Sequence, residues 1–203
     1  MRFFMSSSLA QLRRQLRQQR RRVSSFKQRQ SQQLIFARLR HHPIFKQQQR
    51  IGLYLHAFGE IHTRLLILEC FRLGKQVYLP MICNMNQHLH WVKINQQQYL
   101  TRRFAQHRLG MQQAMQSRAY SVRHLDLLIM PLLACDHTGT RLGMGGGFYD
   151  KTLSRAHKKP YRLGLAHDFQ LLDQPLVREV WDQPLDALLT PQHFLKFKRH
   201  TSA

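Results

Sequence analysis

Acidic residues are scarce in this chain of 203 residues: ten Asp and Glu stand against 32 Lys and Arg, a formal charge of +22 at neutral pH. The deficit is steepest at the start, where residues 1–59 carry thirteen Lys or Arg and no acid. Cysteine is nearly absent too. Cys70, Cys83 and Cys135 lie far apart with no C-x-x-C pair, which excludes a disulfide framework and a zinc ribbon and fits a reducing compartment. No apolar run is long enough to span a bilayer or serve as a secretory signal, so no membrane association and a cytoplasmic location are expected. Glycine is sparse as well, with ten residues, yet five of them fall between 139 and 147.

What remains is ample for folding. A hydrophobic content of 43%, with aromatics spread along the chain, describes a globular domain large enough to bury a continuous core. One domain over 1–203 is expected, with 1–8 and 196–203 as flexible ends. The basic run RRQLRQQRRR at 13–22 has two readings: a site for a polyanion such as nucleic acid, or the solvated face of a helix. Leu9, Leu12, Leu16 and Val23 recur at roughly helical spacing, which favours the helix.

Local signals then alternate. Ser6–Ser8 offer caps for a first helix, Ser24 or Ser25 for a second that runs toward His42, and Thr63 for a third over RLLILECFRL that Gly74 would stop. Strands are expected at IGLYL (51–55), VYLP (77–80), HLHWVKI (88–94), RLGLA (162–166) and, last, LDALLT (185–190). The near-continuous apolar run LDLLIMPLLA (125–134) reads as a central strand buried on both faces. Residues 95–124, rich in Gln and Arg with little periodicity, read as a surface excursion. Alternating strands and helices give an α/β fold with a mostly parallel sheet.

The glycine-rich stretch RLGMGGGFYD (141–150) follows that central strand and precedes a helix, where open α/β sheets place ligands. Glycines let backbone N–H groups approach a ligand closely, and a helix start favours anions. Arg141 could fork onto phosphoryl oxygens, and Asp150, one of so few acids, could hold magnesium. An isolated glycine cluster is more often a tight connection, and the pattern matches no standard nucleotide motif.

Read further, D-H-T-G-T-R-L-G-M-G-G-G-F-Y-D-K-T-L (136–153) resembles the signature of the 5-formyltetrahydrofolate cyclo-ligase family. RRQLR at 13–17, LYLHAFGEIHT at 53–63, G-K-x-V-x-L-P at 74–80, DLLIMP at 126–131 and WDQPLDALLT at 181–190 agree in order and spacing. The resemblance implies a single α/β domain, mostly parallel and flanked by helices, sugar-isomerase/CoA-transferase-like. It also implies ATP- and magnesium-dependent cyclisation of 5-formyltetrahydrofolate, through phosphorylation of its formyl oxygen, by a monomer.

By matching position, Arg13 and Arg17 would contact ATP together with Arg141, Leu142, Gly143, Met144, Gly145, Gly146, Gly147, Phe148 and Tyr149. Arg141 and Asp150 would be catalytic. Asp150 and Asp182 would bind magnesium. Leu55 and Glu60, with the segment Met144 to Phe148, would contact the folate. A carboxylate suits a pterin, whose paired N–H groups it can accept side by side. Arg13 stands where the family usually has lysine, Lys151 where it often has arginine, and Cys135 where it has an aromatic. The charge excess would attract polyglutamylated folates, or else a nucleic acid on the same fold without the activity. Asp186 ranks below Asp182 as a metal ligand because it begins a strand. His88 and His90 read as surface residues, and Trp91 and Trp181 as core or pocket wall.

Overall fold

The structure, a computed structural model, describes residues 2–83, 86–115 and 118–198; residue 1 and residues 199–203, parts of the ends expected to be flexible, lie outside the described residues. Helix α1 spans Arg2–Arg21, so Ser6–Ser8 sit inside it rather than at its start. Serine is only mildly unfavourable within a helix, and the residues on either side carry it through. Ser24 caps α2 (Ser25–Arg40) by accepting from Lys27 N at 3.3 Å, and Pro43 starts the short α3 (Pro43–Lys46).

Strand β1 is only Arg50–Gly52. Leu53 N still donates to Tyr78 O at 2.9 Å, and then the chain leaves the sheet in a loop tied by Tyr54 Oη to Ile61 O at 2.9 Å. Thr63 precedes α4 (Arg64–Arg72) but makes no side-chain cap; its hydroxyl donates instead to Tyr54 O at 2.5 Å and closes that loop. Gly74, with φ of 67°, turns the chain into β2 (Gln76–Ile82), which pairs with β3 (Leu89–Ile94).

The expected excursion is built. It contains α5 (Gln96–Leu100), a hairpin of β4 (Phe104–Gln106) and β5 (Gln112–Ala114), and β6 (Ala119–Tyr120) on the sheet edge. Strand β7 (Leu127–Pro131) is central, but the apolar run does not continue as one strand. Pro131 lacks an N–H, and the chain turns to start β8 (Ala134–Asp136), which pairs with β9 (Arg141–Leu142) in a separate small sheet. A hairpin therefore stands between the central strand and the glycine-rich loop. Helix α6 (Phe148–Leu153), β10 (Tyr161–Leu165), β11 (Leu171–Leu172), β12 (Ala187–Leu189) and β13 (Phe194–Lys196) complete the chain, so 185–190 does not hold the last strand.

The large sheet has the order β13-β12-β10-β7-β1-β2-β3-β6. Its five central strands are parallel, while β13, β3 and β6 join antiparallel at the edges. This is the α/β, mostly parallel architecture anticipated. Alternate residues of β7 feed two cores: Leu127 and Ile129 pack beneath α2 and α4, Leu128 and Met130 on the opposite face with Trp91 and Leu153. A third cluster seats α1, where buried Leu16 meets Leu133, Ala134 and Leu142, with Leu9 and Leu12 partly buried beside them. Among the described residues no helix is long and apolar enough to cross a membrane.

Candidate active site

Parallel strands that end together leave a crevice beyond their carboxyl ends. Here it is a cleft of about 900 Å³, floored by residues at or just past the carboxyl ends of β1, β2 and β7 and walled by α1, the glycine-rich loop and the start of α6. Every residue assigned above to ATP, folate or metal lines this one cleft. Those assignments came from segments more than a hundred residues apart, and the fold brings them together.

Helix α1 supplies the first wall. Arg13, Arg17 and Arg20 recur at spacings of four and three, which places them on one helical face. Arg13 Nε donates to Gly143 O at 3.3 Å and Arg17 Nη2 to Met144 O at 2.5 Å, so the helix grips the glycine-rich loop. The solvated-face reading holds for Arg14, Arg21 and Arg22, which are exposed, and fails for this inward face. Gly145 has φ of 105°, a conformation that side-chain-bearing residues rarely adopt, and it lets the loop turn under Arg17. Two donors in the cleft, Arg17 Nε and Arg141 Nε, are buried with no hydrogen-bond partner among the described residues. A buried, unsatisfied guanidinium N–H is costly, and an anion seated between α1 and the loop would relieve it.

Carboxylates mark two places. Arg141 Nη2 donates to Asp150 Oδ1 at 2.7 Å, and Gln183 N donates to the same oxygen at 3.1 Å. Asp182 accepts from Glu179 N at 2.9 Å through Oδ2. Burial pushes the Asp182 carboxyl above its ordinary range, and among the nearby charges Asp150 pushes it the same way. Two carboxylates that repel one another across an open cleft suit a divalent cation. No group of three or more His, Cys, Asp or Glu side chains that could hold a metal ion occurs among the described residues.

Glu60 stands at the other end. Ala57 N donates to its Oε2 at 3.0 Å, and Oε1 lies 3.7 Å from Arg20 Nη2. Burial raises its pKa, while the Arg20 charge and the Ala57 hydrogen bond oppose that rise. Tyr149 lies between the two ends, with the Arg141 guanidinium 5.6 Å from its ring centre, and burial raises its pKa, so the phenol is neutral. The cleft also has apolar walls, which include Leu55, Ile82, Leu89, Met111 and Phe148.

Several residues were missed. Arg20 lines the cleft and is 1% exposed, although its spacing from Arg13 and Arg17 was readable. Leu109, Met111, Gln112 and Gln113 reach the cleft from the β4–β5 region, which the sequence presented as a surface excursion. Asp136 holds the turn before the loop together: it accepts from Thr138 N, Thr140 N and Leu176 N, each at 2.9 Å. Burial raises its pKa, but these bonds together outweigh it and the group lies below its ordinary value. Trp91 is fully buried, whereas Trp181 is an exposed residue of the cleft wall. Asp186 lies outside the cleft and accepts from Arg162 N at 2.8 Å. His88 and His90 are half-buried and belong to no metal-binding group among the described residues.

Comparison with known proteins gives the family. The model of the 5-formyltetrahydrofolate cyclo-ligase family matches residues 5–191. The 5-formyltetrahydrofolate cyclo-ligase of Escherichia coli K12 is 35% identical over 181 residues, covering 87% of this chain and 96% of that protein. The enzyme of the same name from Haemophilus influenzae is 32% identical over 187 residues, covering 88% and 95%. Among solved structures, the 5,10-methenyltetrahydrofolate synthetase of Aquifex aeolicus superposes with a TM-score of 0.80 at 25% identity, covering 96% of this chain and 95% of that one. A family model spanning nearly the whole chain, relatives matched along almost their full length and a shared fold lead to one conclusion: the chain belongs to the 5-formyltetrahydrofolate cyclo-ligase family and is a ligase.

Proposed function

We propose that this enzyme converts 5-formyltetrahydrofolate and ATP to 5,10-methenyltetrahydrofolate, ADP and phosphate, with magnesium. The observation that carries the reading is one cleft that brings together an arginine- and glycine-lined wall with unsatisfied guanidinium donors, apolar side chains and a largely buried carboxylate, Glu60. The guanidinium donors suit phosphates, and the carboxylate suits a pterin ring with its paired N–H groups.

The formyl oxygen attacks the terminal phosphorus of ATP, and the bond from that phosphorus to ADP breaks. The folate N10 then attacks the activated formyl carbon, the C–O bond breaks, and phosphate leaves with the N10 proton. Such chemistry needs positioning and neutralised oxygen charge rather than a protein nucleophile. Arg13, Arg17 and Arg141 exchange their present partners for phosphate oxygens. Asp150 and Asp182 would hold magnesium, which would supply further positive charge beside those oxygens. Glu60 orients the pterin, and Leu55, Met144 and Phe148 close water away from the formyl group. The enzyme works as a cytoplasmic monomer and accepts polyglutamylated folates.

The direct test is absorbance of the methenyl product in a mixture of purified protein, 5-formyltetrahydrofolate, magnesium and ATP. Formation only when ATP and magnesium are both present is expected. A folded sample that binds ATP yet forms no methenyl product would overturn the substrate assignment.

A further inference from the structure

We propose that Arg20 is a positioning residue: it sets the place of Glu60 and links the folate end of the cleft to the helix that carries the phosphate-side arginines. Arg20 is 1% exposed and spends its whole fork inside the cleft wall. Nε donates to Phe58 O at 3.0 Å, Nη1 donates to Leu132 O at 3.0 Å, and Nη2 lies 3.7 Å from Glu60 Oε1 and 3.5 Å from Met144 Sδ. One side chain thus touches the Glu60 loop, the end of β7 and the glycine-rich loop. The backbone closes the same contact from the other side. Gly59 has φ of 78°, and a Cβ there would collide with the Arg20 carbonyl, so the loop can pass the end of α1 only as glycine.

A guanidinium this deep is expensive unless its charge is answered, and a purely structural tie between α1 and the loop needs no charge. The nearest carboxylate is Glu60, whose Oε1 accepts no hydrogen bond among the described residues. That oxygen is left for a ligand. The other titratable or charged groups felt at this position are Tyr54, Tyr149, the helix neighbours Arg17 and Arg21, which act on Arg20 while Arg20 is the charge that acts on Glu60, and, across Gly59 O, His167, which lies 3.2 Å from that carbonyl. Neither phenol supplies positive charge, and burial holds His167 below its ordinary pKa, so it is neutral at pH 7. Arg20 is therefore the cation that favours ionised Glu60, and ionised Glu60 is the form that accepts two N–H bonds.

The linkage follows from the helix. Arg13, Arg17 and Arg20 share one rigid face, so α1 cannot shift to seat phosphates without carrying the group that holds Glu60. Because it rests on the reading of Glu60 as the folate acceptor, the test separates the two. Titration calorimetry would follow 5-formyltetrahydrofolate and, separately, magnesium-ATP, with wild type, Arg20→Met, Arg20→Lys, Glu60→Gln and the Arg20→Met/Glu60→Gln double variant, between pH 5.5 and 8.5.

Arg20→Met is expected to weaken folate binding about tenfold or more while ATP binding changes by less than about twofold. Folate affinity should also begin to fall at a higher pH than in wild type. Glu60 has its pKa raised by burial, so acid removes its acceptor form as pH drops through that raised value, and loss of Arg20 raises the value further. Arg20→Lys keeps the charge without the fork, and should retain the wild-type pH dependence with weaker binding; it also serves if Arg20→Met fails to fold. In the Glu60→Gln background, Arg20→Met should add little. Equal weakening of both ligands, or a full Arg20→Met effect without Glu60, would overturn the proposal in favour of a structural tie. If Glu60→Gln alone leaves folate binding intact, the Glu60 reading falls and this inference with it.

Discussion

Asp150 carries more than one duty on a single carboxylate. Its Oδ1 receives Arg141 Nη2 and Gln183 N, which leaves Oδ2 as the oxygen to face a cation. Asp150→Asn keeps the shape and removes the charge, so Arg141 would lose its ion pair, and two carboxylates would no longer meet at the cleft. Turnover should fall by on the order of a hundredfold to a thousandfold, the usual range for deleting one group that stabilises developing charge. The remaining activity should require more magnesium than wild type does. Initial rates over a magnesium series test this; an unchanged magnesium dependence would overturn the proposed role of Asp150 as a metal ligand. This residue was legible because acids are so few that each one in a motif stands out. Arg20 was passed over because, in a run of so many arginines, its helical spacing from Arg13 and Arg17 is a weak signal until burial distinguishes it.

Helix α1 is the element on which both ends of the cleft depend, and its anchor is small. Leu16, 4% exposed, seats the helix on Leu133, Ala134 and Leu142, while Arg13 and Arg17 hold the loop that follows Leu142. Leu16→Ala removes about 2–5 kcal/mol of packing at a site where the helix has few other fully buried side chains. Thermal melting should show the loss, and ATP affinity should weaken with it although Leu16 touches no ligand; retained affinity at lowered stability would mean that the arginines are held by the loop alone. Helix α1 could be read in advance from its apolar spacing, which is set by the face it buries, and α2 from its capping serine and the proline that follows it. The break in 125–134 was harder to read: Pro131 marks it, but Leu132, Leu133 and Ala134 continue the apolar run, and it is the packing of α1 over Leu133 and Ala134 that shows what those residues do after the chain leaves the large sheet. The β4–β5 hairpin was hidden for the opposite reason. Its strands are three residues each, and its anchors, Met111 and Ala114, are single apolar residues among Gln and Arg, too few to register as alternation.

At the scale of the molecule, the ten acids are almost all committed. Glu60, Asp150, Glu179 and Asp182 line the cleft; Glu69 pairs with Arg72, Asp126 with Arg50, and Asp136 ties its turn. Few remain to balance the outer faces of α1 and α2, where Arg14, Arg21, Arg22, Lys27 and Arg29 are all exposed. A net charge of +22 on a compact body repels itself, and the unfolded chain relieves that repulsion by spreading. Salt should therefore stabilise the fold. Raising sodium chloride from about 0.01 M to 0.15 M shortens the screening length from roughly 30 Å to 8 Å, which is below the distance across the charged faces but longer than the contacts in the cleft. The melting temperature should rise by several degrees, since each kcal/mol shifts it by about 2–4 °C for a chain of this size. Chloride is the salt to use, because phosphate or sulfate would also occupy the arginine end of the cleft and stabilise by binding. A melting temperature that stays flat or falls over this range would mean that the surface cations are spaced widely enough to be harmless, and that the basic excess does not burden the fold.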